Sequence, residues 1–484
     1  MVRPAGERAD VHVAVVGGGI AGLAAAHELA DVDGVSVTVL EASDRLGGKV
    51  RTEPFDGVAL DTGPDSFLAR RPEAVQLCRE LGLFGRLEPP ATGEAWLWVR
   101  GRLRPIPKAT LLGLPTDLTA VARTGVLSPV GLARLAVAPL LARRRQPLGP
   151  TEDRTIGEVV RAAMGDEVHE RLVDPLVGGI NAGDTDALSI DAVAPQLASA
   201  ARRSADLAGG ARAVQAAAQA VGPGAHAPVF FGLPGGLTGL VDALGARLGA
   251  AGVDVRTGAT VRSLGRAAGR WEVDTDAGAV RADAVVLATP AFGTAGLVGP
   301  LDEQVGATLR AITHASVALV ALSWPADAVP SLRPGSGFLV PRGEGRVMTA
   351  CSWSSSKWAH LADPSGRVLV RASAGRADDH RAEAMDDDEL VARICLELGE
   401  AMGIEAEPSA VRVTRWPSAF PQYAPGHLRR IAAAEAGLAA RQPGLVLAGA
   451  ALRGVGIPAC IGSGRSAARL ALAAARGEER WVPR

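Results

Sequence analysis

The chain is poor in aromatics, in lysine and in cysteine. Among 484 residues there is one tyrosine, Tyr423, with eight tryptophans and eight phenylalanines, too few to wall a cation-binding cage generously. Lysine occurs only at Lys49, Lys108 and Lys357, so nearly all basic charge is arginine, and the formal net charge is −1. A nucleic-acid binder needs a basic footprint, which this balance does not supply. The arginine excess goes with abundant alanine, glycine and proline and reads as coding bias rather than function. The four cysteines, Cys78, Cys351, Cys395 and Cys460, form no C-x-x-C pair, and no histidine stands at metal-ligand spacing. A disulfide scaffold and a zinc site are thereby excluded, and the thiols read as reduced and structural in a cytoplasmic protein. No apolar run is long enough to span a bilayer, the opening MVRPAGERAD has no signal-peptide core, and no repeat of fixed period is found.

What is present begins at once. Val11–Val16 (VHVAVV) reads as a buried strand, residues 17–22 as a glycine turn, residues 23–30 as an alanine-rich helix, and Val35–Leu40 (VSVTVL) as a second strand. Gly17, Gly19 and Gly22 make G-x-G-x-x-G in that setting. Glycines there permit the tight turn and close backbone approach to a pyrophosphate, and the helix start offers free N–H groups to the anion. Glu41 ends the second strand, where an acid would accept hydrogen bonds from ribose hydroxyls. The pattern implies dinucleotide binding without saying which dinucleotide.

A second glycine-rich loop follows in EASDRLGGKVRT (residues 41–52), with Gly47-Gly48 flanked by Arg45, Lys49 and Arg51. A nicotinamide dehydrogenase has no need of it; a solvated basic turn is the alternative. Near the end of the chain, Gly454, Gly456 and Pro458 precede an alanine-rich helix, whose start could lay N–H groups against an electron-rich ring. Outside the first turn no strand–glycine-turn–helix unit with its own ribose acid occurs, so no second dinucleotide site is expected.

The length implies two or more cores. Texture divides the chain into residues 1–90, 228–298 and 426–484 of a discontinuous dinucleotide-binding domain, a mainly helical segment 91–227, and a mixed-sheet segment 299–425. The expected class is α/β: a Rossmann-like domain, a mixed-sheet substrate domain and a helical subdomain. A helix is expected near residues 386–401, and strands at SVALVALSW and FLVP.

GGGIAGLAAAHEL with EASDRLGGK is similar to the flavin-dependent amine oxidase superfamily. DTGPDSFLARRP (residues 61–72), GDEVHERLVDPLVGGINAGD (165–184), TRWPSAFPQY (414–423) and GAALRGVGIPACIGSG (449–464) together resemble the bacterial protoporphyrinogen/coproporphyrinogen oxidase family, in that family's order and over nearly the whole chain. The resemblance implies FAD as cofactor and oxidation of coproporphyrinogen III to coproporphyrin III. Six electrons would pass to O2 in three rounds, giving H2O2, in haem b biosynthesis. It places FAD contacts on Gly17, Gly18, Gly19, Ile20, Ala21, Gly22, Glu41, Ala42, Lys49, Gly63, Pro64, Asp65, Ser66, Val261, Trp416, Gly456, Ile457 and Pro458. Asn181 stands where many relatives have tyrosine, which bears on the substrate-pocket wall. Arg70 and Arg71 follow the flavin-side segment closely and are candidate substrate-binding residues for propionates; an exposed turn before a Pro72-initiated helix is the other reading.

Alternatives remain at this point. Protoporphyrinogen IX is a second possible substrate, and a flavin amine oxidase a second activity, disfavoured by the lone tyrosine. A carotenoid desaturase would have no use for substrate-facing arginines, and a non-catalytic dinucleotide-binding scaffold would be colourless. No catalytic base stands out: His12 and His27 read as structural, while His169, His314, His360 and His427 are scattered. VGLARLAVAPLLARRR (130–145) is apolar and ends in three arginines; it reads as a helix of the helical subdomain, or as a weak peripheral contact with a membrane surface.

Overall fold

The computed structural model describes residues 11–221, 228–330, 333–362 and 366–478. Val11–Val16 (β1) is the middle strand of a five-stranded parallel sheet. Val35–Leu40 (β2) and Ala284–Leu287 flank it, with Asp254–Arg256 and Leu445–Leu447 at the edges. Val13, Ala14 and Val15 are fully buried, so both faces of the strand are covered and its sequence is a continuous apolar run rather than an alternation. The intervening helix, Ile20–Leu29 (α1), begins three residues ahead of the expected start because Gly19 already serves as its extended N-cap. Its alanine face admits a second helix, Ile457–Ala475, so closely that a Cβ on Gly464 would overlap the Ala21 carbonyl oxygen.

One face of the sheet packs on α1 and on helices Pro72–Glu80, Thr238–Ala250 and Ile457–Ala475 through Leu23, Leu77, Leu244 and Ile461. The other packs on a small antiparallel sheet of Val261–Ala267, Arg270–Thr275 and Val280–Ala282, together with Val298, Leu309 and Ile431. This is the α/β Rossmann-like architecture expected from β1, α1 and β2, assembled from three separate stretches of chain.

A seven-stranded mixed sheet forms the other large element. Its order is Ala410–Pro421, His314–Trp324, Val368–Ala374, Met348–Ser352, Gly337–Leu339, Trp96–Val99 and Arg102–Pro105. The last two fall inside the segment expected to be mainly helical. The two form a local hairpin turned at Arg100-Gly101, and Trp96–Val99 ties it to the sheet by parallel pairing with Gly337–Leu339, far away in sequence. Helix Asp387–Met402 covers one face, with Leu390, Ile394 and Leu398 against Val320, Leu322 and Val370. Between Leu118 and Val221 the chain is mostly helical around Ile156, Val160, Leu172, Leu188 and Leu197. Residues 130–145 form the short helices Pro129–Ala136 and Ala138–Ala142. Leu135, Ala138 and Ala142 face inward, while Val130, Leu140 and Leu141 are exposed. Among the described residues, no helix is long and apolar enough to cross a membrane.

Candidate cofactor and substrate site

The glycine turn sits at the carboxyl end of β1. Gly17 has φ +106°, which a side chain would strain. A Cβ on Gly22 would overlap the Gly17 carbonyl oxygen, so that glycine serves helix–strand packing. Gly19 is different: a Cβ there would meet nothing within 4 Å. The middle glycine therefore faces open space at the N-terminus of α1, where a helix start is suited to an anion. That space suits a pyrophosphate.

Glu41 closes one side of it. Its carboxylate accepts a hydrogen bond from the Gly18 N–H at 2.6 Å, and from the Ser43 N–H and hydroxyl at 2.9 and 2.7 Å. Ala42 is exposed next to it. The Ala259 N–H donates to the Glu41 carbonyl at 2.8 Å, which brings Val261 to the same corner. The second glycine loop leans on the first, with Gly47 N–H donating to the Gly18 carbonyl at 2.8 Å. Arg45 folds back to donate to the Leu46 and Gly48 carbonyls at 3.1 and 2.7 Å. Arg51 pairs with Glu53 at 2.5 Å. Of the three cations of this loop, only Lys49 is left without a hydrogen-bond or ion-pair partner among the described residues. Desolvation holds its pKa below the ordinary lysine value, and its charge is felt by Cys460 and His314.

Lys49 also adjoins the 63–66 segment, since a Cβ on Gly63 would overlap the Lys49 carbonyl oxygen. Four side chains of the seven-stranded sheet and its loops pin that segment. Trp416 donates from Nε1 to the Thr62 carbonyl at 2.7 Å. Arg371 donates from Nη1 to the Asp61 and Gly63 carbonyls at 2.6 and 2.8 Å. Lys357 donates to Asp65 Oδ2 at 2.7 Å, joined there by Trp358 Nε1 at 3.2 Å. Burial raises the Asp65 pKa, but Lys357 and Arg371 outweigh it and hold the carboxyl well below the usual range. Asp65 thus points into the protein, and its carboxylate is already satisfied; what Gly63, Pro64, Asp65 and Ser66 can offer a ligand is chiefly backbone. Asp61 is the opposite case. Burial pushes its pKa up to about 6, against hydrogen bonds from Thr52 Oγ1 at 2.6 Å and the Leu237 N–H at 2.9 Å.

Gly456 is the extended N-cap of Ile457–Ala475, with Pro458 in its first turn. This helix packs on α1 where Gly464, two turns beyond its start, meets Ala21. Arg70 and Arg71 stand apart from this cluster. Phe67–Leu68 pairs with Phe230–Phe231, after which both arginines emerge exposed, Arg71 as N-cap of Pro72–Glu80. Neither has a hydrogen-bonded or ion-paired side chain among the described residues. Asn181 ends helix Asp174–Asn181 and receives a hydrogen bond on its carbonyl from Gln422 at 3.1 Å.

The six histidines considered above are all engaged: His12 with Ser36 and Thr38, His27 with Glu80, His169 with Thr185, His314 and His427 with backbone carbonyls, and His360 with Glu88. Sequence reasoning missed Arg371, Lys357 and Asp61. The available signal for Arg371 was a charge inside an otherwise apolar strand, VLVRASA.

The chain matches the family described as flavin containing amine oxidoreductase over residues 20–472. It is 35% identical over 469 residues to coproporphyrinogen III oxidase of Bacillus subtilis (strain 168), covering 95% of this chain and 98% of that one. To the enzyme of the same name from Mycobacterium leprae it is 37% identical over 469 residues, covering 96% and 98%. A crystal structure assigned as a protoporphyrinogen oxidase of Exiguobacterium sp. 255-15 superposes with TM-score 0.83 at 31% identity, covering 96% and 99%. The chain therefore belongs to the flavin-containing amine oxidoreductase family: it is an oxidoreductase, and its cofactor is FAD. The open space at Gly19, the acid at the end of β2 and the unneutralised Lys49 fit that cofactor.

Proposed function

We propose that this oxidoreductase converts coproporphyrinogen III to coproporphyrin III in haem biosynthesis. The reading is carried by full-length similarity, at 35–37% identity, to relatives named for that reaction. Bound FAD supplies a two-electron acceptor for hydride. The chain's own residues bind and orient. The N–H groups of Ile20 and Ala21 take the pyrophosphate, and Glu41 exchanges its Gly18 hydrogen bond for ribose hydroxyls. The start of Ile457–Ala475, with Gly456, Ile457 and Pro458, faces negative charge on the ring system, and Lys49 adds a cation that no internal acid neutralises. Trp416 and Arg371 fix the 63–66 backbone beside it. Hydride transfer then needs mainly positioning. No side chain is assigned as a base, and pyrrole protons leave to water or to the substrate itself.

Each of three rounds removes one hydride and one proton from the macrocycle and reduces one O2 to H2O2. Arg70 and Arg71, exposed and without acidic partners, are assigned to substrate propionates. A cytoplasmic location accords with four free cysteines. Exposed Val130, Leu140 and Leu141 beside Arg143 and Arg144 give the protein a weak peripheral contact with a membrane surface. The test is oxidation of coproporphyrinogen III in air by the FAD-loaded protein, with porphyrin fluorescence and peroxide read together. Three peroxides per porphyrin are expected. Porphyrin without peroxide would remove O2 as the acceptor, and no porphyrin above the uncatalysed rate would remove the substrate.

A further inference from the structure

A cleft of about 590 Å³ is lined by four arginines, Arg342, Arg346, Arg376 and Arg381, together with Asp378, Asp379, His380 and Ala384. It lies where the loop after Val368–Ala374 meets the turn after Asp174–Asn181. There the Ala377 N–H donates to the Ala182 carbonyl at 2.9 Å, and Arg342 Nη2 to the Gly183 carbonyl at 3.1 Å. Three of the arginines are matched by acids: Arg342 by Asp378, and by Asp174 and Asp184 at 3.6 and 3.7 Å, Arg346 by Glu400 at 2.5 Å, and Arg381 by Asp379 at 2.7 Å. Arg376 is not. Its Nη2 donates to the Val340 carbonyl at 2.9 Å, and among the described residues no carboxylate comes within ion-pairing distance of it. Burial first, and Arg342 next, hold its pKa below the ordinary arginine value; Asp174 and Asp379 counter this from farther away. A partly buried guanidinium pressed by like charge, with one neutral acceptor, lacks a counter-ion.

We propose that this cleft is an oxyanion site in which a carboxylate or phosphate group docks on Arg376, in the fork geometry that a guanidinium offers. The volume is that of a small-ligand pocket, so the group can be one end of a larger molecule. The two sources are free phosphate and a carboxylate arm of a tetrapyrrole; the second rests on the function proposed above. FAD-loaded protein is titrated with inorganic phosphate, followed by the thermal midpoint, and with coproporphyrin III, followed by quenching of tryptophan fluorescence. Saturable binding is expected, weakened about ten- to a hundredfold in Arg376→Met, with partial recovery in Arg376→Lys. Ala384→Glu provides a second arm should the methionine variant fail to fold. It adds a carboxylate to the lining with every arginine intact, and should weaken binding similarly. Competition between phosphate and coproporphyrin III identifies the macrocycle as the source; phosphate binding without competition identifies the free ion. The proposal is overturned if phosphate does not saturate and Ala384→Glu leaves coproporphyrin III affinity unchanged, or if binding is the same in all variants. Porphyrinogen turnover by the same preparations separates failure of this site from failure of the proposed function.

Discussion

Asp61→Asn should stabilise the protein at neutral and alkaline pH and do progressively less in acid. Asp61 is 7% exposed, and burial lifts its pKa from the ordinary 3.8 to about 6. A carboxyl whose folded pKa is raised favours the fold below its unfolded pKa. That contribution is lost as pH rises through the folded value, here between about pH 4 and pH 6. The rise corresponds to about 3 kcal/mol of differential interaction. Asparagine mimics the protonated form: its Oδ1 can still accept from Thr52 Oγ1 and the Leu237 N–H, and it never ionises. The assay is the thermal midpoint of variant and wild type, both saturated with FAD, from pH 4.5 to pH 8.5. About a third of the variant's advantage should already be present at pH 4.5, most of the rest should appear by pH 6, and it should level off by pH 7.5. An offset of constant size across the range would refute the reasoning, because it would reflect packing or hydrogen bonding rather than the ionisation of a buried acid.

Three further outcomes follow from the site. Gly19→Ala should leave the thermal midpoint of the FAD-free protein unchanged while weakening FAD at least about tenfold, whereas Gly464→Ala should destabilise the FAD-free protein by forcing α1 and Ile457–Ala475 apart. Glu41→Ala should weaken FAD by about 1–3 kcal/mol in a fluorescence titration of the FAD-free protein, with the flavin still released on denaturation. Arg71→Ala, and Arg70→Ala to a lesser degree, should raise KM for coproporphyrinogen III about ten- to a hundredfold with the flavin spectrum unchanged. Arg71→Lys should recover only part of the loss, because an ammonium cannot form the fork.

The local code of the chain carried its first unit well. β1, α1 and β2 are short-range structures, and each is written in burial pattern and turn chemistry within thirty residues. The start of α1 was misplaced because Gly19 both ends the turn and caps the helix, a double duty that helix propensity does not reveal. Elements whose reason for existing lies far along the chain were not legible. The neighbourhood of Trp96–Val99 holds a hairpin with Arg102–Pro105; the parallel pairing with Gly337–Leu339 that draws this hairpin into the large sheet is stated nowhere near it. The same holds for the site. The glycine loops and Glu41 announce themselves, but Asp65 and Lys357 meet across 292 residues of sequence, and Arg371 reaches the Asp61 carbonyl across 310. Such contacts have no periodicity to read. They turn Asp65 inward, which no motif could have shown.

The central claim is the choice of substrate, and a direct comparison of two porphyrinogens tests it most closely. The FAD-loaded protein is given coproporphyrinogen III and protoporphyrinogen IX side by side in air, and kcat/KM is taken from the rise of porphyrin fluorescence. Four propionates against two should favour the first substrate, and its advantage should shrink in Arg71→Ala as one charge-assisted contact is lost. Equal or greater kcat/KM for protoporphyrinogen IX, or a yellow protein that turns over neither, would contradict the account.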